Sequence, residues 1–266
     1  VLPFFSPLAT SVAGVRIDAF AVLGACALIV AVELAARRAP PFGIDEHSMR
    51  AFSIWVLVPA LVGAHLCDAL IDHFDAVALS PSLLVNPFAG VSLCGGILGA
   101  LIGALAWRQT VSEPITPFTD VLLSSAPIPW AIARVGSVLA HAHPGARTGS
   151  DNPLAVAYPS GPHWDIGVLD LLAALVVFAG LAALGRRSWP VGTYTAFVML
   201  AYAALRFAIE SVDDPPRAGL LGVTQGRVAC VLMIVLGLVA LSTVRHGTEP
   251  AWVRTRATPS VPPPSR

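Results

Sequence analysis

Lysine is absent from this chain of 266 residues, and charge of either sign is scarce, with Asp, Glu, Lys and Arg together making 12%. An average soluble domain carries roughly 25%. Sixteen Arg balance sixteen Asp plus Glu, so the formal net charge is zero. A soluble globule of this size needs a charged shell that these residues cannot supply. That excludes an ordinary cytosolic enzyme, a disordered chain and a nucleic-acid binder, and no nucleic-acid partner is expected. In a chain rich in Ala, Gly and Pro, the missing lysine reads as a coding bias rather than a functional device. Paired cysteines are missing too. Cys26, Cys67, Cys94 and Cys230 lie singly in apolar runs without a CxxC, so neither a zinc site nor a disulfide framework is indicated.

Long apolar runs are what the sequence has instead. Hydrophobic residues make 56% and the mean hydropathy is +0.75. The composition predicts an all-α, polytopic membrane protein of about seven transmembrane helices, near 17–36, 51–71, 88–107, 118–140, 166–185, 192–210 and 224–244. Each run approaches the roughly 20 residues that cross a 30 Å hydrocarbon core. The first is followed by Arg37 and Arg38 and reads as a span rather than a cleaved signal peptide. The third is rich in Gly and Ala, as in helices that pack closely on neighbours.

Arginine placement predicts the orientation. With the N-terminus outside, ten Arg fall inside (37, 38, 50, 108, 186, 187, 245, 254, 256, 266) and three outside (16, 147, 217), while Arg134, Arg206 and Arg227 lie within or at the ends of spans. The excess on the inner side puts the C-terminus in the cytoplasm. The expected organisation is one transmembrane domain, 1–245, with an outward head segment near 141–165. A Pro- and Ser-rich cytoplasmic tail, 246–266, is expected to be disordered.

Ionisable groups at membrane depth cost roughly 2.5–3.5 kcal/mol each, so each asks for a reason. Tyr202, Arg206 and Glu210 recur at i, i+4 and i+8, which keeps them on one helix face. Arg206 with Glu210 is either an ion pair that locks the bundle or half of an anion site, since a fixed guanidinium suits a phosphate. Arg134 supplies a second guanidinium, unless it snorkels to the outer interface. His141 and His143 follow it, and either suits a general base near neutral pH. His65 with Asp68, and His163, Asp165 and Asp170 at the mouth of the fifth span, are further polar groups whose partners spacing alone does not assign.

These motifs, in this order, resemble the phosphatidylglycerol–prolipoprotein diacylglyceryl transferase family over roughly 17–244. Gly63-Ala64-His65-Leu66 resembles the family's Gly-Ala-Arg-Leu turn, and Cys94-Gly95-Gly96 falls where the family has His-Gly-Gly. Ala133-Arg134-Val135-Gly136-Ser137 is similar to its Gly-Arg-x-Gly-Asn signature. Tyr202, Arg206, Phe207 and Glu210 match its Tyr-x-x-x-Arg-Phe-x-x-Glu helix, and Thr224-Gln225 resembles the start of its last helix. The chain departs from the family at Cys94 for His, Ala133 for Gly, Ser137 for Asn and Asp213 for Arg.

The resemblance implies transfer of diacylglyceryl from phosphatidylglycerol to the lipobox cysteine thiol of a preprolipoprotein in the bacterial inner membrane, with no cofactor or metal. Its partners would be phosphatidylglycerol, the preprolipoprotein signal peptide and membrane lipids. It implies Arg134, Arg206, Glu210 and Tyr202 at the reaction, and His141 or His143, just beyond Arg134, is expected from its position to replace the base missing at Cys94. Arg134, Ser137, Cys94, Gly95, Gly96 and Gln225 would hold substrate. A paralogue serving another acceptor, and a non-catalytic protein that binds lipid or lipoprotein, are the competing readings. Internal repeats, which would favour a transporter, are not seen.

Overall fold

The computed structural model describes residues 1–12, 15–81, 84, 90–111, 113–184, 189–213 and 223–245. The tail 246–266 and the stretch 214–222, which carries Arg217, lie outside the described residues. Nine helices are described: α1 (Ala19–Arg38), α2 (Glu46–Cys67), α3 (Phe74–Leu79), α4 (Leu93–Thr110), α5 (Ile115–Ser125), α6 (Pro127–Ala140), α7 (Ile166–Leu184), α8 (Thr193–Glu210) and α9 (Gln225–Arg245). α2 runs on into a π-helical turn, Asp68–Asp72.

Four stretches are long and apolar enough to cross a membrane, namely α1, Glu46–Ile71, α7 and Gln225–Val244, and α5 with α6 makes a fifth if the bent pair is one crossing. The protein is therefore a mostly helical multi-pass membrane protein with four or five such stretches, against the seven expected. The third and sixth expected spans do form helices, α4 and α8, of 18 residues each. They are less apolar because α4 spends positions on glycine and ends Trp107-Arg108-Gln109-Thr110, while α8 carries Thr193, Tyr194, Thr195, Arg206 and Glu210.

The expectation of an all-α chain is corrected by two small antiparallel sheets. β1 (Ala9–Val12) pairs with β2 (Val15–Asp18) ahead of α1. β3 (Pro144–Arg147), β4 (Ala155–Tyr158) and β5 (Gly161–Asp165) form a second sheet in the order β3-β5-β4. These strands fall within 141–165, the stretch read from sequence as a head segment. Its Pro and Gly residues interrupt helix, and its runs are too short for one. Leu2 adds a parallel bridge to Val156 at the β4 edge.

Much of the helix contact is made by small side chains, while many large aliphatic ones face out. On α1, Ala27, Ala31 and Ala35 are buried at four-residue spacing, while Ile29 is 68% exposed. On α9, Ala229, Cys230 and Met233 are buried, while Val231, Val235 and Val239 face out. In lipid the outer shell needs no polar groups, and helices gain by letting small residues meet. The contact of α2 with α4 is the extreme case. A Cβ at Gly99 would run into the Pro59 carbonyl, and one at Gly103 into the Trp55 carbonyl, so the two backbones lie in contact.

Two devices hold the end of the bundle remote from the strands. Asp120 of α5 accepts from the Gly192 and Thr195 amides at 2.6 and 2.8 Å and from the Thr195 hydroxyl at 2.6 Å, capping α8 from a neighbouring helix. Phe52, Trp107 and Phe118 pack with centroids 5.2–6.0 Å apart in the largest apolar cluster. Between α5 and α6 the axis bends by 46°. Pro127 and Pro129 cannot donate to the carbonyls four residues back, which interrupts the ladder. Arg38 Nη1 donates to the Ser124 carbonyl in the last turn of α5 at 2.6 Å and ties the end of α1 to it.

Candidate functional site: an arginine pair on a buried carboxylate

The alternation of the long helices brings the end of α6, the start of α7, the end of α8 and the start of α9 to one end of the bundle, beside the strands. Arg134 sits on α6 and Arg206 on α8, and both reach the same oxygen of Asp170 on α7. Arg134 Nη2 lies 3.1 Å and Arg206 Nη1 3.3 Å from Asp170 Oδ2, and the Asp170 side chain is fully buried. Arg206 Nη2 also meets Glu210 Oε1 at 2.5 Å, one turn on, with Asp213 Oδ2 at 3.7 Å. Thr224 donates to the other Glu210 oxygen at 3.1 Å. Gly226 is needed here, because a Cβ there would run into the Glu210 carboxylate.

Tyr202 lies one turn deeper than Arg206 and stands edge-on to Trp130 of α6, centroids 4.2 Å apart. Ser137, one turn after Arg134 on α6, is buried with Oγ 3.3 Å from His143 Nδ1. His143 keeps an open face on the surface, yet protein crowds its remaining sides and Phe20 stands edge-on to its ring. That loss of surrounding water, reinforced by the Arg134 guanidinium, pushes its imidazole below the ordinary value. It is thereby kept neutral and able to accept a proton near pH 7.

The two histidines separate here. His141 is buried in the left-handed region at φ 45°. Its Nδ1 lies 3.4 Å from Asp165 Oδ2, its ring stacks on Phe4 at 4.6 Å, and Tyr158 donates to the same Asp165 oxygen at 2.7 Å. Burial, then the Asp165 contact, push the Tyr158 phenol well above its ordinary value. These contacts tie His141 to the strands and the N-terminal segment.

Cys94, Gly95 and Gln225 gather in a second polar cluster at the same end. Gln225 Oε1 accepts from the Ser92 hydroxyl and from Cys67 Sγ at 3.4 Å. Cys94 is buried at the start of α4. A Cβ at Gly95 would strike the Gly63 carbonyl and the Cys67 side chain, so Gly95 serves helix contact. Gly96 faces Ala64, 3.7 Å away by the same measure. Gln225 and Gly226, adjacent in sequence, link this cluster to Glu210. Among the described residues no three His, Cys, Asp or Glu side chains group to hold a metal ion.

Comparison with known proteins decides the family. Residues 7–243 match the family described as prolipoprotein diacylglyceryl transferase. The chain belongs to the prolipoprotein diacylglyceryl transferase family. Relatives named phosphatidylglycerol–prolipoprotein diacylglyceryl transferase include one from Chromohalobacter salexigens, 24% identical over 89% of this chain and 91% of its own length. One from Aromatoleum aromaticum is 25% identical, covering 94% and 98%. One from Pseudomonas putida is 25% identical, covering 90% and 94%.

Within this family member, Asp170 is the site residue whose role sequence reasoning left unassigned. A lone carboxylate inside Ile166-Gly167-Val168-Leu169-Asp170-Leu171-Leu172 was the available signal. Trp130 and Ser92 carried no signal that separated them from helix-packing and capping residues.

Proposed function

We propose that this chain is a diacylglyceryl transferase of the bacterial inner membrane. It crosses the bilayer seven times, through α1, α2, α4, the bent α5–α6 pair, α7, α8 and α9, with the N-terminus outside and the C-terminus cytoplasmic. The arginine excess at the end remote from the strands supports that orientation. The observation that carries the reading is the convergence of Arg134 and Arg206, from separate helices, on one buried carboxylate.

The donor is phosphatidylglycerol and the acceptor is the lipobox cysteine thiol of a preprolipoprotein signal peptide. The thiolate sulfur bonds to the glyceryl carbon that bears the phosphate. That carbon's bond to oxygen breaks, and glycerol phosphate leaves with the electron pair. Arg134 and Arg206 bind the phosphate and oppose the charge that grows on it. Glu210 orients Arg206, and Tyr202 closes the floor of the site against Trp130. His143 takes the thiol proton: with Nδ1–H donating to Ser137, Nε2 is the acceptor. It stands in for the family histidine that Cys94 replaces. Gln225, Cys94 and Gly95 flank the acyl side of the headgroup.

The test is complementation of a strain depleted of its own transferase, with mass analysis of a lipobox peptide incubated with phosphatidylglycerol and the purified protein. A diacylglyceryl mass gain supports the reading. No gain on the lipobox cysteine, in a protein that binds the lipid, refutes it.

A further inference from the structure

Two buried polar atoms beside the arginine pair, Asp170 Oδ1 and Arg206 Nε, have no partner among the described residues. One is an acceptor and the other a donor. Asp170 cannot turn to exchange its oxygens without breaking both ion pairs, because Oδ2 alone holds Arg134 at 3.1 Å and Arg206 at 3.3 Å. Arg206 has committed Nη1 to Asp170 and Nη2 to Glu210, which leaves Nε. Leaving buried polar atoms unpaired is costly, and each one in a folded protein asks for an explanation. A ligand that offers both an anionic oxygen and a hydroxyl supplies it.

We propose that Asp170 Oδ1 and Arg206 Nε act together as a reader of the lipid headgroup, selecting a phosphodiester that carries a hydroxyl beyond the phosphate. Arg206 Nε–H donates to a phosphate oxygen, and Asp170 Oδ1 accepts from the headgroup hydroxyl. The inference rests on the transferase reading, which supplies the phosphodiester, and adds what chooses among phosphodiesters. A headgroup without a hydroxyl leaves Oδ1 unpaired in the complex. Sites built to bond a hydroxyl reject the analogue that lacks it more strongly than apolar pockets discriminate by shape.

The experiment compares two donors with identical acyl chains, phosphatidylglycerol and phosphatidylpropanol, using the purified full chain and a lipobox peptide. The wild type is expected to prefer phosphatidylglycerol by about tenfold or more in kcat/KM. In Asp170→Asn the amide oxygen turns to the guanidinium groups and a neutral NH2 replaces the charged Oδ1, so the charge-assisted bond to the hydroxyl is lost and the preference falls several-fold. The ratio is taken within one preparation, so a partly misfolded variant scales both donors alike and does not move it. Equal kcat/KM in the wild type, or an unchanged ratio in Asp170→Asn, overturns the proposal. Where Asp170→Asn turns over neither donor, the same ratio is read from displacement of fluorescent phosphatidylglycerol by each lipid, with the same two outcomes. Failure of the wild type on both donors counts against the transferase reading, and the displacement ratio then still tests the headgroup reader.

Discussion

Replacing Arg206 by Gln removes one guanidinium from between two buried carboxylates. Asp170 is left with Arg134, and Glu210 with the Thr224 hydroxyl. Side chains of Arg206, Asp170 and Glu210 are 12%, 0% and 6% exposed, so solvent does little to screen the stranded charges. Removing one partner of a buried pair costs about 3–5 kcal/mol, mostly as the penalty of the charge left behind. Arg206→Gln alone therefore confuses misfolding with lost chemistry. The double variant Arg206→Gln/Glu210→Gln removes the charge that the single change strands. It should regain most of the lost stability, to within about 1–2 kcal/mol of the wild type. Its activity should stay about 10²–10³-fold down, the usual cost of losing one donor to a developing anion. Thermal unfolding in detergent, followed by tryptophan fluorescence, gives the first quantity, and lipobox-peptide mass gain gives the second. A double variant that turns over within tenfold of the wild type would refute a phosphate-binding role for Arg206.

Three further outcomes follow from other parts of the structure. Asp120→Ala strips three hydrogen bonds from the start of α8, and should cost about 2–4 kcal/mol, read as a lowered unfolding temperature with kcat/KM retained in the folded fraction. His143 titrates below its ordinary 6.5, so it favours the folded state fully above about pH 6.5, and that contribution is lost as pH falls through the lowered value. The acid limb of kcat/KM should accordingly inflect below pH 6.5, and His143→Gln should remove that limb and lower kcat/KM on the plateau by about 10²–10⁴-fold. Gly99→Val forces apart the backbones of α2 and α4, and should destabilise by about 1–3 kcal/mol or more in the same unfolding assay.

The long elements were legible because lipid demands long apolar runs, and the first, fifth, sixth and seventh expected spans match observed helices to within two residues. The second reaches back to Glu46, since Asp45 caps it by accepting from the His47 and Ser48 amides. The Tyr202-Arg206-Glu210 stripe was legible because its geometry is local, set by the helix repeat alone. What was not legible depends on contact at a distance. Asp170 is 36 residues from both guanidiniums it joins (Arg134 before it and Arg206 after), and nothing in its local pattern points to either. Asp120 looks like any polar residue of an amphipathic helix until Gly192 is placed over it. The choice between His141 and His143 turns on which ring the strands enclose, and strands of four or five residues carry too little periodicity to be read. The break after Ser125 was visible as Pro127 and Pro129, although the run 118–140 reads as one span by hydropathy.

Arg38 stands at the end of the first long helix, and its guanidinium donates to a carbonyl 86 residues later in the chain. At roughly 5–20 residues per second of synthesis, that carbonyl is made about 4–17 s after Arg38 itself. In the interval the Arg38 guanidinium is without the partner it has in the finished fold. Once Ser124 arrives, the same guanidinium fastens the end of α1 to the last turn of α5. A residue that waits for its partner through the synthesis of 86 residues thus becomes a clasp on the finished bundle, so replacing it would unfasten α1 from the end of α5.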